Sequence, residues 1–256
     1  MPSALRSEAR PHATTAWRAV ERQSGFATMK LVNSADEQLV LEQALDRAKP
    51  RYAPGTEHLH YLLKTPFRYK PDDRYGSRFS RPASRGLFYA AEQDRTALCE
   101  AAFYHMLWLC GPLMAIAPPR LKTYTVFSVA VAAPLALDLI QPPFLARRAD
   151  WTDREAVAAC QALGMAAQDE GIDLIRYSSV RDPEEGAALA LLTPCFAAPH
   201  PLGETTWHLS LLPDELSLRR DDRGDAFTLD YGWYMQDSRL AGLPAALGFA
   251  LRDSGA

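Results

Sequence analysis

Apolar residues between Ser34 and Lys49 recur in threes and fours: Leu39, Val40, Leu41, Ala44 and Leu45 interleave with Glu37, Glu42 and Asp46. That period predicts a helix over 34–48, with Ser34 or Asp36 as its cap and Pro50 closing the run. Another helix is predicted near 14–23. His58-Leu-His-Tyr-Leu-Leu63 reads as a short strand or a turn of helix. Gly86-Leu-Phe-Tyr-Ala-Ala91 is apolar on both faces, the pattern of a central strand. Asp94 to Cys110 reads as a helix stopped by Gly111-Pro112.

Leu121 to Ala132 alternates around Tyr124, Val126, Phe127 and Val129, which predicts a strand. Thr152-Asp-Arg-Glu155 has the form of a capping box, so a helix is expected from there to Glu170, ending at Gly171. Strands follow at Ile172–Ser178 and Ala188–Leu192, joined by the turn Asp182-Pro-Glu-Glu-Gly186. Thr206–Leu212, Leu216–Arg220 and Phe227–Tyr231 predict further short strands, and Leu240–Leu251 a weak helix. Strands mixed with separated helices indicate an α+β fold. Residues 1–15 read as a loose tail, and three parts are expected: an N-terminal helical extension (1–55), a main domain (56–235) and a C-terminal tail (236–256).

Composition narrows the function classes only a little. The 256 residues, 48% hydrophobic and 23% charged, suffice for a core without disulfide or metal staples. A net charge of -3 offers no general reason to bind nucleic acid or a membrane. Its distribution is uneven. Lys64, Arg68, Lys70, Arg74, Arg78, Arg81 and Arg85 stand against Asp72 and Asp73, so 64–85 carries +5 and the remainder -8. A local cationic cluster of this kind focuses anions such as phosphate.

Cys99, Cys110, Cys160 and Cys195 form no C-x-x-C pair, which points away from zinc and toward a reducing cytoplasm. His58 and His60 have no third ligand nearby, so no metal is expected. Arg6, Glu8, Arg10 and Pro11 interrupt any signal-peptide core. The most apolar stretch, Ala97–Pro119, contains Glu100 and His105 and breaks at Gly111-Pro112, the marks of a buried helix and not a membrane span. The chain has no G-x-S-x-G, phosphate-binding loop or G-x-G-x-x-G fingerprint.

Candidate chemistry concentrates between Tyr75 and Glu100, where Arg78, Tyr89 and Glu100 fall eleven residues apart. Downstream, Ile175-Arg-Tyr-Ser-Ser-Val-Arg181 adds a serine. The words Gly76-Ser-Arg-Phe79, Gly86-Leu-Phe-Tyr-Ala90, Ala97-Leu-Cys-Glu100 and Tyr177-Ser-Ser-Val-Arg181 resemble those of the RES domain family over about His58 to Leu192. The family is known as toxins of bacterial toxin–antitoxin pairs that destroy NAD.

The resemblance implies several things. The fold would be ADP-ribosyltransferase-like, a mixed β core with flanking helices and NAD in a cleft between two sheets. The family's arginine falls on Arg78, its tyrosine on Tyr89, its glutamate on Glu100 and its serine on Ser179, with Ser178 as the competing choice. Phe67-Arg-Tyr69 resembles a further arginine–tyrosine pair, making Arg68 and Tyr69 second-rank candidates. Phe79 stands where the family usually carries Trp, and keeps an aromatic face. NAD is expected as substrate with no cofactor. The expected partners are an Xre-type helix-turn-helix antitoxin and a second copy in a homodimer, with no membrane or direct nucleic-acid contact.

Those residue types suit cleavage of a nicotinamide–ribose bond. The leaving nicotinamide is already cationic and departs neutral, so one carboxylate suffices to stabilise the oxocarbenium-like ribose. An arginine clamps phosphate or ribose oxygens. An aromatic face stacks on the nicotinamide and a hydroxyl fixes a ribose or amide group. The acceptor is left open among water, phosphate and a macromolecule, the last making the chain an ADP-ribosyltransferase. A basic-loop nucleic-acid-binding module is the alternative outside enzymology, and an inactive scaffold that keeps only its partner is another.

Overall fold

A computed structural model describes residues 4–22, 34–70, 76–111 and 121–248. Arg74 and Tyr75 of the basic loop, Pro112 of the expected helix stop and the end of the predicted 240–251 helix lie outside these. In chain order the main elements are α1 (Ala4–Glu8), β1 (Arg10–Glu21), α2 (Ala35–Ala48), α3 (Tyr61–Lys64), β2 (Phe88–Ala91), α4 (Asp94–Leu109) and β3 (Leu121–Asp138). They continue with α5 (Arg148–Thr152), α6 (Ala158–Asp169), β4 (Leu174–Ser178), β5 (Ala187–Leu191) and β6 (Gly203–Leu211). The last are β7 (Leu216–Arg220), β8 (Ala226–Leu229), α7 (Tyr231–Met235) and α8 (Leu243–Leu247).

The fold is α+β, with a mixed sheet of eight strands in the order β1-β2-β5-β4-β3-β6-β7-β8. In place of two separate sheets there is one continuous sheet, because β1 also pairs with β3 and closes the first five strands into a ring. Among the described strands only β3 and β4 run parallel; the other pairs are antiparallel. The 18-residue β3 is longer than the predicted 121–132 strand and tolerates Pro134. Its pairing with β1 slips between Arg10 and His12, opposite Ala136 and Ala133, and such a bulge absorbs the missing proline N–H.

Where a helix is expected near 14–23, the structure has strand β1, so residues 10–21 of the predicted helical extension belong to the main sheet. Its β-branched Thr14, Thr15 and Val20 suit a pleated backbone, and its long ladder with β3 is a partner no local pattern announces. The helix expected over 152–170 is also corrected. α5 ends at Thr152, and α6 begins only at Ala158. Asp153 Oδ1 accepts from the N–H groups of Glu155 (2.8 Å) and Ala156 (2.7 Å), a side-chain turn that competes with helix. α2 spans nearly the predicted range.

Apolar side chains pack on both faces of the sheet. Ala16, Phe88, Phe127, Val129, Leu174 and Leu189 join in one cluster on the ring strands. Ile175, Tyr177, Ala190, Phe79 and Cys160 pack on the opposite face, under α6 and the 76–86 loop. α4 and the C-terminal helices cover β6, β7 and β8 through Leu98, Phe103, Trp207, Leu218 and Tyr234. No described helix is long and apolar enough to cross a membrane.

Candidate functional site

Glu100 lies midway along α4, and Ser179 directly follows β4. The Ser179 hydroxyl donates to Glu100 Oε1 at 2.6 Å. Its oxygen accepts from the backbone N–H groups of Arg181 (3.1 Å) and Asp182 (3.2 Å). One proton given and two lone pairs engaged exhaust a hydroxyl, and Ser179 is 1% exposed. In this arrangement the serine aims the carboxylate. The substrate contact expected of it is not available while that bond holds.

Why the two segments meet is visible one turn earlier on α4. Thr96 Oγ1 donates to Asp182 Oδ2 at 2.7 Å, and Asp182 is fully buried. A carboxylate so deeply placed is tolerated because it is hydrogen-bonded on several sides: Oδ1 also accepts from Glu184 N–H at 3.1 Å. The loop after β4 is thereby locked to the start of α4, which carries Glu100 to Ser179.

Arg78 sits on a tight turn. Gly76 adopts φ +69, and a Cβ there would run into the Ser80 carbonyl, so only glycine fits. Ser77 N–H then donates to Ser80 O at 2.7 Å. The Tyr89 hydroxyl holds this turn from β2: it receives the Phe79 N–H at 3.1 Å and shares a 2.8 Å hydrogen bond with Ser77 Oγ. Arg78 Nη1 donates to the carbonyls of Trp151 (3.1 Å) and Asp153 (3.0 Å). Burial on its own would lower the Arg78 pKa, but Tyr177, Cys160 and Glu100 nearby more than offset it and hold the value above normal. Burial pushes the Tyr89 hydroxyl well above its ordinary value, against the pull of its hydrogen bonds and of Arg78.

Glu100 is thus bonded to Ser179 and lies within electrostatic reach of Arg78, whose turn Tyr89 holds. Tyr177 lies among them. Burial, then Glu100 and Tyr89, raises its hydroxyl well above the usual range. The other candidates fall elsewhere. Phe79 is completely buried, edge-on to Tyr177 with ring centroids 4.9 Å apart, so it has no open face for a ligand. Arg68 binds the Pro50 carbonyl and stacks 4.3 Å over Tyr52. With Tyr69, Lys70 and Arg85 it lines a recess of about 350 Å³ that includes none of the four central groups.

Residues that sequence reasoning missed complete the neighbourhood. Tyr104 follows Glu100 by one helical turn on α4 and is 57% exposed. Although accessible, its hydroxyl is desolvated by the groups around it and repelled by Glu100, which raise its pKa against Arg78, Arg181 and Arg239. The i, i+4 spacing from Glu100 was a readable signal. Arg181 ends the recognised Tyr177–Arg181 word, and its guanidinium stands 3.6 Å over the Phe103 ring. Among the described residues no group of three His, Cys, Asp or Glu is placed to hold a metal ion.

The family model described as RES domain matches residues 49–211. No curated protein matches the chain. A solved structure that it resembles is titled as the M. tuberculosis MbcT-MbcA toxin-antitoxin complex. The similarity has a TM-score of 0.39 at 14% identity, covering 89% of this chain and 90% of that one.

Proposed function

The chain belongs to the RES domain family, and on that premise we propose that it is a toxin that cleaves the nicotinamide–ribose bond of NAD. The observation that supports the reading is a carboxylate, Glu100, hydrogen-bonded by Ser179 and within electrostatic reach of Arg78, whose turn Tyr89 holds.

In the proposed reaction the ribose C1′ faces Glu100. The C1′–N bond breaks and its electron pair leaves on the nicotinamide ring, which departs neutral without a general acid. Positive charge grows on C1′ and the ring oxygen, where the Glu100 carboxylate stabilises it. An acceptor oxygen then bonds to C1′ and gives up its proton to solvent. Ser179 keeps Glu100 in one orientation, so no reorganisation is needed as charge develops. Arg78 holds phosphate or ribose oxygens by charge-assisted hydrogen bonds. Tyr89 acts through the Arg78 turn, and Tyr104 offers an open ring for stacking on a base.

The same reading carries an antitoxin of the helix-turn-helix type that covers the site, a dimer, and a cytoplasmic setting. The four unpaired cysteines are in keeping with a reducing compartment. Incubation of purified chain with NAD, with free nicotinamide followed by chromatography, tests the reading. Glu100→Gln should lower the rate by about 10²–10³, the loss typical of removing one transition-state electrostatic group. Equal release by both forms overturns it. Radiolabelled NAD separates acceptors, since label retained on a macromolecule marks transfer.

A further inference from the structure

The segment 231–240 lies beyond the stretch matched to the family, yet it reaches the Glu100 neighbourhood. Asp237, completely buried, stands between two guanidinium groups. Arg239 embraces it as a fork, Nε to Oδ1 at 2.8 Å and Nη2 to Oδ2 at 2.7 Å. Arg181 Nη1 approaches Oδ2 at 2.8 Å from the other side. Both arginines also donate to the Arg154 carbonyl, at 2.7 and 3.0 Å. Both stand over the Phe103 ring, at 3.6 and 5.3 Å. Phe103 follows Glu100 by three residues on α4, and Tyr104 is next. Glu155 fixes the segment by accepting from the Ser238 N–H (2.8 Å) and hydroxyl (2.6 Å).

Glu100 adds to the hold of Asp237 on Arg181, and Glu155 adds to its hold on Arg239. The buried Arg181 Nη1 makes no well-aligned hydrogen bond, and burial lowers the Arg181 pKa despite Glu100 and Asp237. Arg239 is the reachable member: its side chain is 40% exposed, against 5% for Arg181. Asp237 and the Arg154 carbonyl engage Nε and Nη2 of Arg239 and fix its plane. Its Nη1 is left to meet an oxygen of an anion.

We propose that Arg239, aimed by Asp237, binds a phosphate oxygen beside Glu100, so that a segment outside the matched domain supplies an anion subsite. This rests on the NAD-cleaving reading of the same site. The phosphate comes either from the pyrophosphate of the dinucleotide or from a separate inorganic phosphate. Asp237 is a positioning residue, and Arg239 makes the contact.

Full-length Arg239→Ala and Arg239→Lys chains are to be assayed for nicotinamide release from NAD and from nicotinamide riboside, which lacks phosphate, at rising inorganic phosphate. If the dinucleotide is the source, Arg239→Ala raises KM for NAD about tenfold, the scale of one charge-assisted hydrogen bond. In that case kcat moves less, riboside cleavage is unchanged, and Arg239→Lys, which keeps the charge but not the fork, recovers only part of the loss. Asp237→Asn should repeat this KM shift. If free phosphate is the source, Arg239→Ala moves the phosphate dependence and leaves KM for NAD alone. Constants within about twofold of wild type in both arms overturn the proposal, since loss of a contacting charge exceeds that. Calorimetric titration with inorganic pyrophosphate serves as a readout apart from activity. Should the wild type release no nicotinamide, the activity reading falls; binding heat lost in Arg239→Ala still supports the subsite, and equal heats refute it.

Discussion

The Tyr89 hydroxyl receives the backbone N–H of Phe79 at 3.1 Å, so strand β2 holds the turn on which Arg78 is presented. The eleven-residue interval between Arg78 and Tyr89 thus has a physical content: the tyrosine pins the residues on either side of the arginine, Ser77 and Phe79. Tyr89→Phe keeps the ring but leaves the Phe79 N–H unpaired. Unfolding in denaturant should show a loss of about 1–3 kcal/mol, the cost of orphaning a buried donor. In the NAD assay KM should rise more than kcat falls, because the looser group is the clamp and not the carboxylate.

Ser179→Ala removes the donor to Glu100 and the acceptor for two backbone N–H groups. Stability should drop by about 1–3 kcal/mol, and kcat by up to about a hundredfold, the effect of a group displaced by about 1 Å. Ser179→Thr, which restores the hydroxyl, should recover part of both. A kcat unchanged in the alanine variant would show that Glu100 needs no such support.

α6 touches the Arg78 turn at Gly164, where an added Cβ would collide with the Phe79 carbonyl. Backbone against backbone leaves no flexible side chain to yield. Gly164→Ala should therefore destabilise the protein by about 1–3 kcal/mol, the range for overpacking. The strain enters at Phe79, so nicotinamide release should fall although position 164 is remote from Glu100 in sequence. A thermal melt and a rate measurement on one preparation check both halves.

Stability should also depend on acid through Glu92, which directly follows β2. Arg176 grips it with Nε and Nη2 at 2.8 and 2.9 Å. Burial pushes the Glu92 pKa up, but the bonds and charge of Arg176, with His12, outweigh this and hold it below 4.5. A carboxyl lowered on folding contributes stability that is complete above its unfolded value and disappears as pH falls through the folded one. Unfolding free energy measured from neutral pH to below 4 should decline, and Glu92→Gln should flatten that decline.

Much of the chain was legible because its signals are local. The apolar run of β2 and the β7 strand at Leu216–Arg220 each report burial of their own residues, and the period of α2 marks a helix even though Leu39, Val40 and Leu45 stay exposed. The misread strand 10–21 failed for the converse reason: it is held by pairing with β3, far along the chain, and its short polar residues also suit a helix surface. The 152–170 helix failed because Asp153 turns the backbone onto itself while Arg78 takes the carbonyls of Trp151 and Asp153. Phe79 was read as a ligand face because it stands where the resemblance places a Trp, and packing against Tyr177 decided otherwise.

From the linear order of residues came the family, the mixed architecture and the set of groups able to act on a cationic leaving group: Arg78, Tyr89, Glu100 and Ser179. Only the folded chain determined which of their hydrogen bonds are already used, turning Ser179 and Tyr89 from candidate ligand contacts into supports for Glu100 and Arg78. It also brought Asp237 and Arg239 beside Phe103, though nothing near them in sequence marks them. The reason is the range of the forces. Periodicity records how each residue meets water, whereas a hydrogen bond is settled within about 3 Å by segments whose separation along the chain carries no information about their distance in space.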